Sequence, residues 1–214
     1  DFGTPYLLKL LSGGELSEDL AYYFYFYMNE RGEVAGVEDA YLMFNNLFNS
    51  ELDVYIGQFQ VSDPLFKREL RLTLEDYQLY KQRVGTARAN LAYDRGIMLT
   101  YGFESGTDVI VEILNGDGLG EADGLRNFDK DKYKNLFGRV SQDISEFLRL
   151  GAFGYVGKEE VHSVGFGSPV ENDITMWGID ATLSLKDKLE LNVQYLTRMD
   201  DETFAHNNSI NVSK

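Results

Sequence analysis

The chain is patterned as a repeat of about ten alternating apolar and polar residues, followed by a turn of Gly, Asn, Asp or Ser, from Leu20 onward. Side chains alternate sides along an extended chain, so each unit presents one apolar and one polar face. About ten tilted residues cross the apolar layer of a bilayer in that form, whereas a helix needs about twenty apolar residues in succession. No run of that kind exists here. The expectation is an all-β, antiparallel transmembrane β-barrel of about ten strands within one domain, residues 1–214.

Ten strands follow from the pattern: Leu7 to Leu11, Leu20 to Asn29, Val37 to Asn45, Glu51 to Phe59, Leu91 to Phe103, Asp108 to Asn115, Leu136 to Ile144, Phe147 to Gly157, Asp173 to Ser184 and Lys188 to Met199. In the second, Tyr22, Phe24, Phe26 and Met28 share a face opposite Tyr23, Tyr25 and Tyr27. In the last, Glu190, Asn192 and Gln194 alternate with Leu189, Leu191, Val193 and Tyr195. Tyr23, Tyr25, Glu190, Asn192 and Gln194 are therefore expected to face a lumen. A soluble sandwich also keeps one face wet, so this alternation establishes a one-sided sheet before it establishes a membrane.

Between Gln60 and Ala89 the alternation stops. Thr73 and Asp76 form a capping-box-like pair, Leu74, Tyr77 and Lys81 have helical spacing, and Gly85 can end a helix, which predicts a short helix over 74–82. Pro64 after Ser62 and Asp63 can open another helical turn.

Gly14-Glu15-Leu16-Ser17-Glu18-Asp19-Leu20 before an aromatic strand, then Val37-Glu38-Asp39-Ala40-Tyr41-Leu42, then Tyr55-Ile56-Gly57-Gln58-Phe59 leading to Pro64 and Leu65, stand in an order that resembles the phosphate-selective porin O/P-like outer-membrane proteins. The resemblance covers about 13–94. It implies an even-numbered barrel, commonly of sixteen strands and often a homotrimer, set in the lipid and lipopolysaccharide of a bacterial outer membrane and passing small hydrophilic solutes or ions. It also implies a loop folded into the lumen, which places the candidate constriction at residues 60–89. Sixteen strands need a longer chain, and Lys214 is not a terminal aromatic, so this stretch is expected to belong to a larger barrel. A closed ten-strand barrel filled by its own side chains is the other arrangement.

Relatives that select phosphate line the pore with basic residues, yet the formal net charge here is -15. That charge disfavours nucleic acid as a partner. Lys67, Arg68, Arg71, Lys81, Arg83, Arg88 and Arg95 nevertheless gather in and just after the non-alternating segment. Folded inward, they form a basic constriction that concentrates anions. On a solvated surface they pair with Glu69, Glu75, Asp76 and Asp94 instead.

The remaining motifs are weak. Asn115 to Gly124 is rich in oxygen ligands, but Leu119 and Arg126 stand where a calcium-binding loop needs oxygens, so a solvated Gly-rich loop is expected. His162 and His206 have no spaced partner, and no nucleophile elbow, phosphate loop or dinucleotide fingerprint is present, so the chain does not read as an enzyme. Trp177 suits an interfacial girdle or a soluble core equally. Cysteine is absent, so Cys-x-x-Cys-His haem attachment cannot occur within these residues. Two readings follow from the barrel: a passive channel, or a structural sheath for a partner such as a cytochrome, whose haem would come from a segment outside this stretch or from the partner.

Overall fold

The computed structural model describes residues 7–30, 36–65, 77–161, 169–185, 188–201 and 210–213. They build one antiparallel sheet of eleven strands in sequence order, each strand pairing only with its neighbours in the chain. The strands are β1 (Leu7–Ser17), β2 (Leu20–Glu30), β3 (Val37–Leu47), β4 (Leu52–Phe59), β5 (Asp94–Gly102), β6 (Thr107–Leu114), β7 (Asn135–Ser145), β8 (Leu148–Val161), β9 (Val170–Leu185), β10 (Leu189–Asp200) and β11 (Ile210–Ser213). The alternating pattern thus forms the meander it specifies, with β11 beyond the ten expected strands. Among the described residues β1 and β11 are the sheet's edges.

Several boundaries differ from expectation, three of them for clear local reasons. β1 runs on past Leu11 through Gly13 and Gly14, because both glycines pair with Tyr23 and Tyr22 and the turn is confined to Glu18 and Asp19. β5 starts at Asp94 and not at Leu91, because the Leu91 N–H donates to the Tyr80 carbonyl (2.9 Å) and so belongs to the preceding segment. The helix α1 (Gln78–Lys81) is shorter than expected, and the backbone is already extended at Gln82, so Gly85 does not end it. Thr73, Leu74 and Asp76 lie outside the described residues, as do His162 and His206.

Register sorts the side chains into two unlike faces. On one, Leu42, Ile56, Ile97, Ile113, Leu136 and Val156 stand side by side across six strands. A second row, Val54, Leu99 and Val111, and a third, with Tyr101, Val109, Val140, Ala152, Ile179 and Tyr195, follow toward the short turns. Between the first row and those turns no described residue on this face is charged. Most of its large side chains are exposed. Charge returns only beyond that row, toward the long connections, where Lys158 pairs with Glu171 and Asp173 (3.1 Å each).

The opposite face is polar toward the short turns and densely packed toward the long connections. There the described parts of the segment between β4 and β5, residues 60–65 and 77–93, lie across it, and Phe59, Val61, Tyr80 and Leu91 join Met98, Leu114, Phe137, Tyr155, Met176 and Leu196 in one buried cluster. Seven inter-strand steps would part β3 from β10 by roughly 34 Å in a flat sheet. The segment reaches both: the Tyr93 hydroxyl donates to Glu38 on β3 (3.3 Å) and the Tyr80 hydroxyl to Gln194 on β10 (2.7 Å). Because the Leu91 N–H also donates to the Tyr80 carbonyl (2.9 Å), the bridge between the two tyrosines is short, and the sheet is curled into a trough around these residues. No described helix is long and apolar enough to cross a membrane, which says nothing about strands that cross one.

Candidate functional site

The trough floor and the segment within it form the candidate site. Two clasps hold the segment. On β10, Arg198 is buried and binds Asp200 through two hydrogen bonds (Nε to Oδ1 2.5 Å, Nη2 to Oδ2 2.6 Å), while its Nη1 donates to the carbonyls of Gln82 (2.9 Å) and Ala89 (2.8 Å). On β8, Glu159 accepts the Arg88 N–H (2.8 Å), and Asn172 on β9 ties Glu159 to Asp200 (3.1 and 3.2 Å).

Arg88 extends the second clasp into the 115–134 connection. Its guanidinium meets Asp117 (2.8 Å), Asp131 (3.1 Å) and Glu159 (3.8 Å). Burial pushes the Asp117 carboxyl up, against the opposing pull of the Lys130 N–H and of Arg88. One cation therefore faces three carboxylates. Arg95 is engaged differently, with Nη1 donating to the Gly118 and Gly120 carbonyls (3.3 Å each) and its guanidinium 4.0 Å from the centre of the Phe128 ring.

The expected constriction residues thus separate into three groups. Lys67, Arg68 and Arg71 lie outside the described residues. Lys81 and Arg83 are exposed and line a cavity of about 410 Å³ together with Glu38, Asn90, Tyr93 and Leu119. Arg88 and Arg95 are held in the loop network. A second cavity, of about 250 Å³, opens on the other side of the 60–65 turn and is lined by Asp39, Tyr41, Tyr55, Gln60, Asp63 and Thr100 among others.

All five residues expected to face a lumen share the trough face, at different depths. Glu190 and Asn192 are exposed and hydrogen-bonded to each other (2.8 Å), Gln194 and Tyr23 are half-buried, and Tyr25 is buried. Tyr25 donates to the Tyr27 hydroxyl (3.0 Å), and the Lys9 ammonium lies over both rings (5.2 and 4.8 Å).

A cluster that the sequence reading did not single out lies toward the short turns. Arg139 binds Asp180 (Nη2 to Oδ1 2.5 Å, Nε to Oδ2 3.2 Å) and Ser141 (3.0 Å), all buried. Arg149 lies between Asp108 and Asp143, with Asp143 at 3.2 Å, and also reaches Ser141 (2.9 Å). The signal was available: Arg139, Ser141 and Asp143 fall on the alternate positions to Leu136, Val140 and Ile144.

Among the described residues no three His, Cys, Asp or Glu side chains converge as a metal site would require. No family model matches the chain, and no curated protein matches it.

Proposed function

We propose that this chain forms wall and constriction of an outer-membrane β-barrel, through which small hydrophilic solutes or ions diffuse. The observation that carries the reading is the uncharged face. On β9 it extends from Thr175 to Leu185, roughly 33 Å along the strand, or roughly 25 Å in height at the tilt of about 40° usual in such barrels. That height matches the apolar band of an outer-membrane barrel. Exposed Phe48, Phe103 and Phe147 at the tips of three short turns fit the aromatic girdle at one border of that band.

In hydrocarbon an open sheet edge is costly, so in this reading β1 and β11 pair with one another or with further strands. Residues 60–65 and 77–93 narrow the lumen, and permeation depends on width and on the charges left at the narrowest point. No bond is made or broken.

The test is reconstitution of the full-length protein in planar bilayers, with conductance expected. Val111→Lys, in the middle of the uncharged face, should cost about 2–4 kcal/mol and abolish insertion. A protein that stays folded and monodisperse without detergent overturns the reading. A haem absorbance band in the native complex without conductance favours the cytochrome sheath instead.

A further inference from the structure

Resting on the channel reading above, we propose that the trough passes cations in preference to anions. The inference concerns the summed field of the wall and requires no single binding site. In the short-turn half of the trough face, register brings together Asp53, Asp108, Asp143, Asp180 and Glu190, against Arg139 and Arg149 alone among the described residues. Arg139 is consumed by Asp180, with both side chains buried and 2.5 Å apart. Arg149 is one cation shared by two carboxylates, Asp108 and Asp143. Glu190 is exposed, and Asp53 accepts the Asn46 N–H (2.9 Å).

The turns at this mouth add Glu18, Asp19, Glu51, Glu104 and Glu146, against Lys188 among the described residues. Lys186 and Asp187 add one charge of each sign from sequence.

At the constriction Arg88 and Arg198 are balanced where they stand, while Lys81 and Arg83 are exposed in the cavity that Glu38 also lines. Arg88 faces Asp117, Asp131 and Glu159, and Arg198 faces Asp200. Lys67, Arg68 and Arg71 lie outside the described residues, and in sequence they are matched in number by Glu69, Glu75 and Asp76. The surplus charge of the described wall is therefore negative from the mouth through the short-turn half of the trough. A low-dielectric wall focuses that field along the trough and enriches cations within it.

The experiment measures the reversal potential of the full-length protein in a KCl gradient across a planar bilayer. The expected result is a potassium-to-chloride permeability ratio of about three or more at 0.1 M salt. It should fall at 1 M, where the screening length shrinks from about 10 to about 3 Å. Asp53→Asn with Glu190→Gln should move the ratio toward one. Arg149→Gln, which leaves two carboxylates uncompensated, should raise it. A conducting protein with chloride preference, or a ratio of one that these variants do not move, overturns the inference and leaves the channel standing. Absence of conductance overturns both.

Discussion

Glu112 on β6 offers the sharpest test of the packing described here. Its side chain is fully buried, and neither carboxyl oxygen has a hydrogen-bond partner among the described residues. Across the sheet it stands between Met98 and Phe137, both buried in the apolar cluster, and the charged groups acting on it are the carboxyls of Asp63 and Asp94, of like sign. Leaving a buried acceptor unsatisfied costs about 1–3 kcal/mol, more when the group is ionised. Methionine has nearly the same length, no hydrogen-bonding demand and apolar neighbours already in place. Glu112→Met should therefore stabilise the protein by about 1–3 kcal/mol, which raises the thermal midpoint by about 2–4 °C per kcal/mol for a chain of this size. Glu112→Gln keeps the acceptor and adds two unmet donors, so it should gain nothing. Thermal unfolding in detergent, followed by circular dichroism, compares the three proteins. If Glu112→Met is less stable than the parent by 1 kcal/mol or more, the carboxylate has a partner and the reasoning fails.

Three further outcomes follow from the same geometry. At Gly96 an added Cβ would stand 2.0 Å from the Ile113 carbonyl oxygen, whereas at Gly138 its nearest neighbour is 3.8 Å away. Gly96→Ala should prevent β5–β6 pairing and yield no folded protein, while Gly138→Ala should be neutral or stabilising by about 0.5–1 kcal/mol, as read by chemical denaturation. Arg139→Leu and Asp180→Leu should each cost about 3–5 kcal/mol by stranding a buried charge, and the double variant should recover most of that loss in a double-mutant cycle. Asp123 accepts the N–H groups of Asn127 and Leu125 (2.8 Å each), which hold its carboxyl below the usual range. A depressed folded value gives stabilisation that is complete above the ordinary carboxylate range near pH 4 and lost as pH falls through the depressed one, so the Leu125 and Asn127 amides should lose hydrogen-exchange protection only in strong acid.

The ladder of strands was legible because a two-residue period survives in every one of them from β2 to β10. What the period conceals is depth. Tyr25 and Tyr27 fall on the polar face as expected, yet both are buried beneath neighbouring groups, because alternation tells the side and not what lies over it. Glycine misled at β1 for a similar reason. Gly13 and Gly14 look like a turn, but the rings of Tyr23 and Tyr22 occupy the space above them, at 3.3 and 3.6 Å from where a Cβ would be, and the ladder continues. The ion pairs were hidden by distance along the chain. Arg139 and Asp180 are 41 residues apart, and Arg88 and Glu159 are 71 apart, so neither partner is visible until register is known. Clustering of basic residues in sequence said nothing about how many carboxylates each would meet.

The strand ladder and the residues 77–93 packed on it are held by different forces, and in the channel reading that difference bears on how an aperture could change. Each strand pairs with its neighbours through a continuous backbone ladder, which ties residues close in sequence and does not require the segment. Its attachment depends instead on side chains far along the chain: Tyr80 to Gln194 spans 114 positions, and Arg198 to Ala89 spans 109. Beyond the apolar cluster, the polar anchors include the Arg198–Asp200 pair, the Glu159–Arg88 contact and Asn172 joining them. Loss of that clasp would release two segment carbonyls while leaving every ladder bond of β8, β9 and β10 in place. In the channel reading, a change in how residues 77–93 sit would therefore leave the strand ladder intact, and the buried Arg198 on β10 is one of the groups that fix their position.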